Sequence, residues 1–184
     1  MIKQIVLSLL LFSTVAVAAA VSHRDPLTDA EIDKIRDTAQ LPAERLKLYI
    51  EFARARLDKV QQVHADPKLT DRAEQTRSAL QEFLDVYDEL TTNVDTYADR
   101  GSDLRKALKP VIEADTEFGA KIRAFKSSLG NSQEARDDDF LIGSAIEAVD
   151  SGAKDHRDLL AEQEETFKNK KKQNHKGDEQ NSER

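Results

Sequence analysis

Apolar residues recur in steps of three and four along four long stretches of this chain. Such steps place side chains on one face of an α-helix. In residues 44–60, "ERLKLYIEFARARLDKV", Leu48 and Phe52 widen that face, as packing in a bundle requires. The narrow stripe itself consists of Leu46, Ile50, Ala53, Leu57 and Val60.

Three further stretches repeat the pattern and predict helices over residues 68–99, 103–128 and 131–168. Two features interrupt the second of these. Pro110 is expected to kink or split that helix, because proline removes one backbone hydrogen bond. Asp115 falls within the alternation of apolar positions. In the last stretch Gly152 and His156 fall on the predicted face.

Capping signals mark where the helices begin and end. Thr28 and Glu31 have the spacing of a capping box, which predicts a short first helix from about residue 29 to residue 40. Pro42 suits the first position of the next helix. The other signals are Gly101 as a residue just past a helix end, and Ser102 and Asn131 as N-caps.

Together these helices predict an all-α fold, because no stretch shows the alternation of a strand. We expect an up-down antiparallel bundle of four long helices plus a short N-terminal helix, with a disordered C-terminal tail. Strict three-four spacing also suits an intermolecular coiled coil. A homodimer therefore remains an alternative to a monomeric bundle.

The N-terminal segment has the pattern of a secretory signal peptide. Lys3 precedes an apolar run, and Ala16-Val17-Ala18 forms a small-x-small cleavage signature. We therefore expect a signal peptide at 1–18, a linker at 19–27, the bundle at 28–167 and a basic tail at 168–184. The mature protein is expected to be exported, periplasmic or extracellular, without stable membrane insertion. With no cysteine, it forms neither disulfides nor a cysteine-linked lipid anchor.

Charge is distributed unevenly along the mature chain. Removal of residues 1–18 leaves 27 basic and 35 acidic residues, a formal net charge of −8. The tail carries six basic and three acidic residues, so the rest of the mature chain is strongly acidic. An exported acidic protein whose tail lacks aromatic residues is not expected to bind nucleic acid.

Sequence motifs for catalysis or cofactor binding are absent. None of the four histidines follows a glutamate by three positions, as in di-iron bundles, and there is no haem attachment motif. Nucleophile elbows and phosphate-binding glycine loops are missing too. The run "DDD" at 137–139 is typical of the first turn of a helix. We therefore predict no enzyme activity, no metal and no cofactor.

The candidate binding residues lie on the predicted helices 103–128 and 131–168. Ser144, Ala148 and Gly152 form a strip of small residues that fits either close helix packing or a groove for a ligand or partner. Asp115 is expected at the edge of its stripe, since Ala107 and Ala114 can define the apolar face. His156 completes the tentative groove. It is expected about 35 Å from the end of the bundle that carries His64, so the two cannot share a ligand.

The sequence is compatible with two functions. The first is an exported non-enzymatic bundle that binds a protein partner, in a scaffold, adaptor or chaperone-like role in the cell envelope. The alternative is a bundle that holds a small ligand or metal ion in its interior, with Asp115, His156 and the Gly152 strip as its site.

Overall fold

The computed structural model describes the backbone of residues 26–182 and the side chains of residues 26–170. Its helices are α1 (Asp29–Asp37), α2 (Pro42–Ala65), α3 (Arg72–Asp99), α4 (Arg105–Leu129), α5 (Gln133–Asp137) and α6 (Asp139–Ser182). No strand occurs within these residues. The predicted signal peptide and residues 19–25 of the predicted linker lie outside the described part.

The four long helices form the predicted up-down bundle, and each runs opposite to the one before it along the chain. The buried stripe of α2 confirms the packing predicted for residues 44–60, since its five members are at most 4% exposed. Around the bundle the order of neighbours is α2, α3, α6, α4, so α3 and α4 occupy opposite corners.

This order makes two neighbouring pairs parallel. Between α2 and α4, Arg54 pairs with Glu117, and Asp58 pairs with Lys121 one turn further along both helices. The two helices therefore run in the same direction. Between α3 and α6, Arg77 binds Asp138 near the start of each helix. The other two neighbouring pairs, α2 with α3 and α4 with α6, are antiparallel hairpins.

The first helix begins as the capping box predicts. Glu31 N–H donates to Thr28 Oγ1 at 3.3 Å, and Thr28 N–H donates to Glu31 Oε2 at 2.9 Å. Arg56 of α2 also binds this carboxylate, with Nη2 2.6 Å from Oε2. Burial alone would raise the pKa of Glu31, but the bonds from Arg56 and Thr28 prevail and lower it. The glutamate therefore caps α1 and docks it on α2.

Three local predictions need correction. The predicted last helix is interrupted at Asp138, which turns inward, is 3% exposed and accepts from Arg77 Nε at 2.7 Å. Ser132, rather than Asn131, caps α5 by accepting from the N–H of Ala135. Pro110 does not split α4, which is continuous from Arg105 to Leu129.

The N-terminus of α4 also differs from the prediction that Ser102 is its N-cap. The N-cap is Leu104, whose N–H donates to Gln163 Oε1 of α6 at 2.8 Å. Gln163 Nε2 in turn donates to the carbonyl oxygen of Ser102 at 3.0 Å. Gln163, from the distant helix α6, therefore binds the backbone N–H at the start of α4 that the local cap Ser102 was expected to bind.

The backbone of α6 is helical as far as Ser182 and so continues into the segment predicted as the tail. Contacts of α6 with the bundle reach Phe167, whose ring centroid lies 3.7 Å from Arg105 Cζ. From Lys168 on, the sequence has no apolar residue. A helical segment with no apolar residue to bury is marginal in water, which is consistent with the predicted tail.

Glu117 gives a prediction for the pH dependence of stability. Hydrogen bonds from Arg54, with a contribution from Lys121, lower its pKa from 4.5 to about 2. A carboxyl whose pKa is lower in the folded protein stabilises above the unfolded value, and this contribution fades as pH falls toward the folded value. Because its side chain is 34% exposed, Glu117→Gln is expected to lower the free energy of unfolding by about 0.5 kcal/mol at neutral pH.

Urea denaturation from neutral pH downward measures this difference, which should shrink below pH 4.5 and vanish near pH 2. Glu51→Gln is the matched control. Its carboxylate is 49% exposed and lies 3.8 Å from Lys47, so little change is expected. A difference for Glu117→Gln that did not change with pH would contradict the assignment.

Candidate functional site

A surface groove runs between the parallel helices α3 and α6. It consists of two adjoining clefts of about 480 and 370 Å³. Thr91, Asp95, Gly152 and Asp155 line both, so the clefts form one continuous feature, which we term the α3–α6 groove. The first cleft extends toward Leu84, and the second toward Leu159.

The charge of the α3–α6 groove is entirely of one sign. No lysine or arginine is found among the residues that line the two clefts. None of the lining acids forms a salt bridge with any residue that the structure describes. These six acids, termed the groove acids, are Asp85, Asp88, Glu89, Asp95, Asp99 and Asp155.

Behind the groove, three buried polar side chains join three helices. Tyr87 Oη of α3 donates to Asp115 Oδ1 of α4 at 2.8 Å, and His156 Nδ1 of α6 lies 2.9 Å from Asp115 Oδ2. All three residues are at most 3% exposed. We call them the Tyr87–Asp115–His156 network. It spans the core, because α3 and α4 lie at opposite corners of the bundle.

In this network the Tyr87 hydroxyl is a donor to Asp115. Burial and then the Asp115 carboxylate raise the pKa of Tyr87 well above its usual range, so its hydroxyl stays protonated and donates. When Asp115 is ionised, its carboxylate only accepts hydrogen bonds, and the proton between Asp115 and His156 then lies on Nδ1. Two donors thus satisfy a carboxylate whose burial would otherwise be costly.

Gly152 makes room for the tyrosine of this network. A Cβ atom built at this glycine would overlap Tyr87 Oη and lie 3.1 Å from Cζ of the same ring. At Gly143, by contrast, a Cβ atom would meet nothing within 4 Å. Only the first of these two α6 glycines is therefore required by close packing.

The structure brings together most, but not all, of the residues predicted from the sequence. Asp115 and His156 are in contact, Gly152 and Ala148 line the first cleft, and Ser144 lies outside both clefts. The prediction that Asp115 lies at the edge of its stripe is wrong. It is 1% exposed, because Tyr87 and His156 supply the hydrogen bonds that make its burial tolerable.

Sequence reasoning missed Tyr87 and the groove acids. Tyr87 falls on the apolar stripe of the predicted helix 68–99, but its hydroxyl needs a partner when it is buried. The groove acids of α3 could have been found, because Asp85, Asp88, Asp95 and Asp99 recur at steps of three, seven and four. Such steps lie on one side of a helix.

His64, the other histidine on an apolar helix face, lies away from His156, as predicted. Its Nδ1 is 3.5 Å from Glu134 Oε1 of α5, and its ring packs edge-on against Phe125. His64 and His156 therefore belong to different sites. In the described part of the chain, no group of three or more histidine, aspartate or glutamate side chains is arranged to hold a metal ion.

Every described helix is also too short or too polar to cross a bilayer.

Gly152 gives a prediction with an internal control. Gly152→Ala is expected to lower the free energy of unfolding by roughly 1–3 kcal/mol, since the added methyl group overlaps Tyr87. Gly143→Ala is expected to raise it by up to about 1 kcal/mol, because alanine is the better helix former and nothing obstructs it. Urea denaturation of the two variants measures both effects.

A second-site change tests the cause of the Gly152→Ala effect. Combining Gly152→Ala with Tyr87→Phe removes the overlapping oxygen, so the two changes together should cost less than the sum of each alone. Strict additivity would show that the methyl group disturbs something other than the tyrosine.

Tyr87 gives a separate prediction for the network. Tyr87→Phe leaves Asp115 Oδ1 without its donor and is expected to cost roughly 1–3 kcal/mol of stability. Tyr97→Phe is the control, because that hydroxyl donates at 3.1 Å to the neutral carbonyl of Ala39. It is expected to cost about 1 kcal/mol or less by the same denaturation measurement. Equal losses would mean that the buried carboxylate places no special demand on Tyr87.

No protein-family model, no curated protein and no solved structure matches this chain.

Proposed function

We propose that this chain is an exported, non-enzymatic helical-bundle protein that binds a protein partner, in a scaffold, adaptor or chaperone-like role in the cell envelope. The partner presents a lysine- or arginine-rich segment to the α3–α6 groove. The observation that carries this proposal is the set of six groove acids, which line one surface feature without any opposing base.

Several acids elsewhere on the bundle are paired with bases, unlike the groove acids. Glu31 is bound by Arg56, Glu117 by Arg54 and Lys121, and Asp138 by Arg77. A row of carboxylates without counter-charges is self-repelling, and a cationic partner relieves the repulsion and is steered toward it. The groove therefore favours basic ligands over neutral or acidic ones.

The dimensions of the groove favour a segment of polypeptide. From Asp85 to Asp99, α3 advances about 21 Å at 1.5 Å per residue. An extended segment of about six residues spans this length. The groove lies at the surface between two helices, so a partner can enter it without opening the bundle.

The alternative function, a ligand or metal held in the interior, has less support. Both oxygens of Asp115 are occupied by Tyr87 and His156. The space beside Gly152 is filled by the tyrosine hydroxyl. An interior ligand would have to displace these groups, whereas a partner in the groove leaves them in place.

The proposal is tested by binding of a fluorescein-labelled oligolysine peptide, followed by anisotropy at several salt concentrations. The triple variant Asp88→Asn, Asp95→Asn, Asp155→Asn is expected to bind about tenfold more weakly and with a smaller salt dependence. Oligoglutamate of the same length should not bind the unmodified protein.

A matched triple variant controls for net charge. Glu44, Glu113 and Glu147 are exposed, lie outside both clefts and form no salt bridge with a described residue, so their change to glutamine removes the same charge elsewhere. It should leave the affinity nearly unchanged. If both triple variants weaken binding equally, the peptide senses overall charge, and the groove is not its site.

A further inference from the structure

One histidine in the second cleft is held in a fixed orientation. His156 is 3% exposed, and its Nδ1 is bound to Asp115, whose other oxygen is held by Tyr87. This contact with Asp115 holds the ring in one orientation from the core. When this ring is neutral and Nδ1 donates to Asp115, Nε2 carries a lone pair that can accept a hydrogen bond.

Nε2 of His156 has no hydrogen-bond partner among the described residues, although the side chain is almost fully buried. It is also not among the enclosed side-chain atoms that lack a partner, which lie at His64, Arg72, Thr76 and Glu134. Since His156 lines the second cleft, this nitrogen is reached from the groove. The nitrogen is therefore available to a hydrogen-bonding group that enters the cleft.

The other polar groups of the second cleft are acceptors as well. Asp95, Asp99 and Asp155 contribute carboxylates. The Thr91 hydroxyl donates its hydrogen to the carbonyl of Asp88 at 2.9 Å, which leaves only lone pairs toward the cleft. A ligand that satisfies these groups together must carry several N–H donors and a positive charge.

The apolar lining of the same cleft narrows the ligand further. Val94, Ala98 and Leu159 lie alongside the acids and His156. Lysine and arginine side chains combine an aliphatic stem, which packs on apolar surface, with a charged head that carries N–H donors. An anion would meet three carboxylates, and a bare metal ion would leave the apolar lining unused.

We propose that the second cleft is an anchor site for the side-chain cation of one lysine or arginine, and that His156 Nε2 accepts a hydrogen bond from it. The Tyr87–Asp115 pair acts as a positioning device that holds the imidazole with its acceptor toward the cleft. This inference rests on the proposed function and adds to it, because it selects one position of the partner segment for specific recognition.

The first test is spectroscopic and uses the unmodified full chain. Nitrogen-15 spectra of the histidine side chains are recorded while N-acetyl-lysine amide or N-acetyl-arginine amide is added. The Nε2 resonance of His156 is expected to shift as the amide concentration rises and to reach a plateau. The Nε2 resonance of His64 is expected not to shift. A larger or earlier shift with one amide identifies whether an ammonium or a guanidinium is preferred. If the Nε2 resonance of His156 shifts with neither amide at the highest concentration used, the anchor is wrong.

The second test uses His156→Asn. The asparagine amide can still donate to Asp115 from about the position of Nδ1, but the acceptor at Nε2 is lost. Affinity for oligolysine is expected to fall about three- to tenfold. His64→Asn is the matched control at the other end of the bundle and should bind as the unmodified protein does.

The combined outcomes separate the two proposals. If neutralising Asp88, Asp95 and Asp155 weakens binding while His156→Asn and the nitrogen spectra show no effect, the groove stands and the anchor is wrong. If neutralising those acids has no effect either, the proposed function fails with it. Should His156→Asn fail to fold, the spectra of the unmodified chain decide the question alone.

Discussion

The burial of one carboxylate constrains much of this bundle. Asp115 sits in the core of α4, where an unsatisfied charge would be strongly destabilising. Its two oxygens require two donors, and these come from α3 and α6. Gly152 must then lack a side chain so that the Tyr87 hydroxyl can reach its acceptor. Three helices are held in register by the needs of a single polar group.

The hydrophobic pattern was sufficient to predict the helices, because each stripe depends only on residues that are close together in the sequence. The stripe of α2 is buried as expected, and the capping box at Thr28 and Glu31 forms as the spacing predicts. Errors arise where a distant residue replaces a local one. Gln163 satisfies the start of α4, and Arg77 holds Asp138 at the break between α5 and α6. Neither partner can be identified from the residues near the helix ends.

The candidate site shows the same limit. Gly152 and His156 stood out in the sequence because a glycine and a histidine are unusual on an apolar stripe. Their function in the fold could not be predicted there, since it depends on distant residues. Gly152 accommodates Tyr87, which is 65 positions earlier in the chain, and His156 binds Asp115, which is 41 positions earlier. Asp115 was misplaced because Ala107 and Ala114 offered an alternative face, whereas in the bundle all three are buried.

The order of the helices also divides the bundle into two halves. The hairpins α2–α3 and α4–α6 are each antiparallel, and the α3–α6 groove is the seam between them on one side. On the other side, the seam is closed by ion pairs between α2 and α4. Asp115 and Tyr87 bridge the two halves through the middle. A partner lying in the groove would therefore touch both hairpins at once, and its binding energy would oppose their separation. Binding of a partner in the α3–α6 groove would thus stabilise the whole domain against separation of its two hairpins.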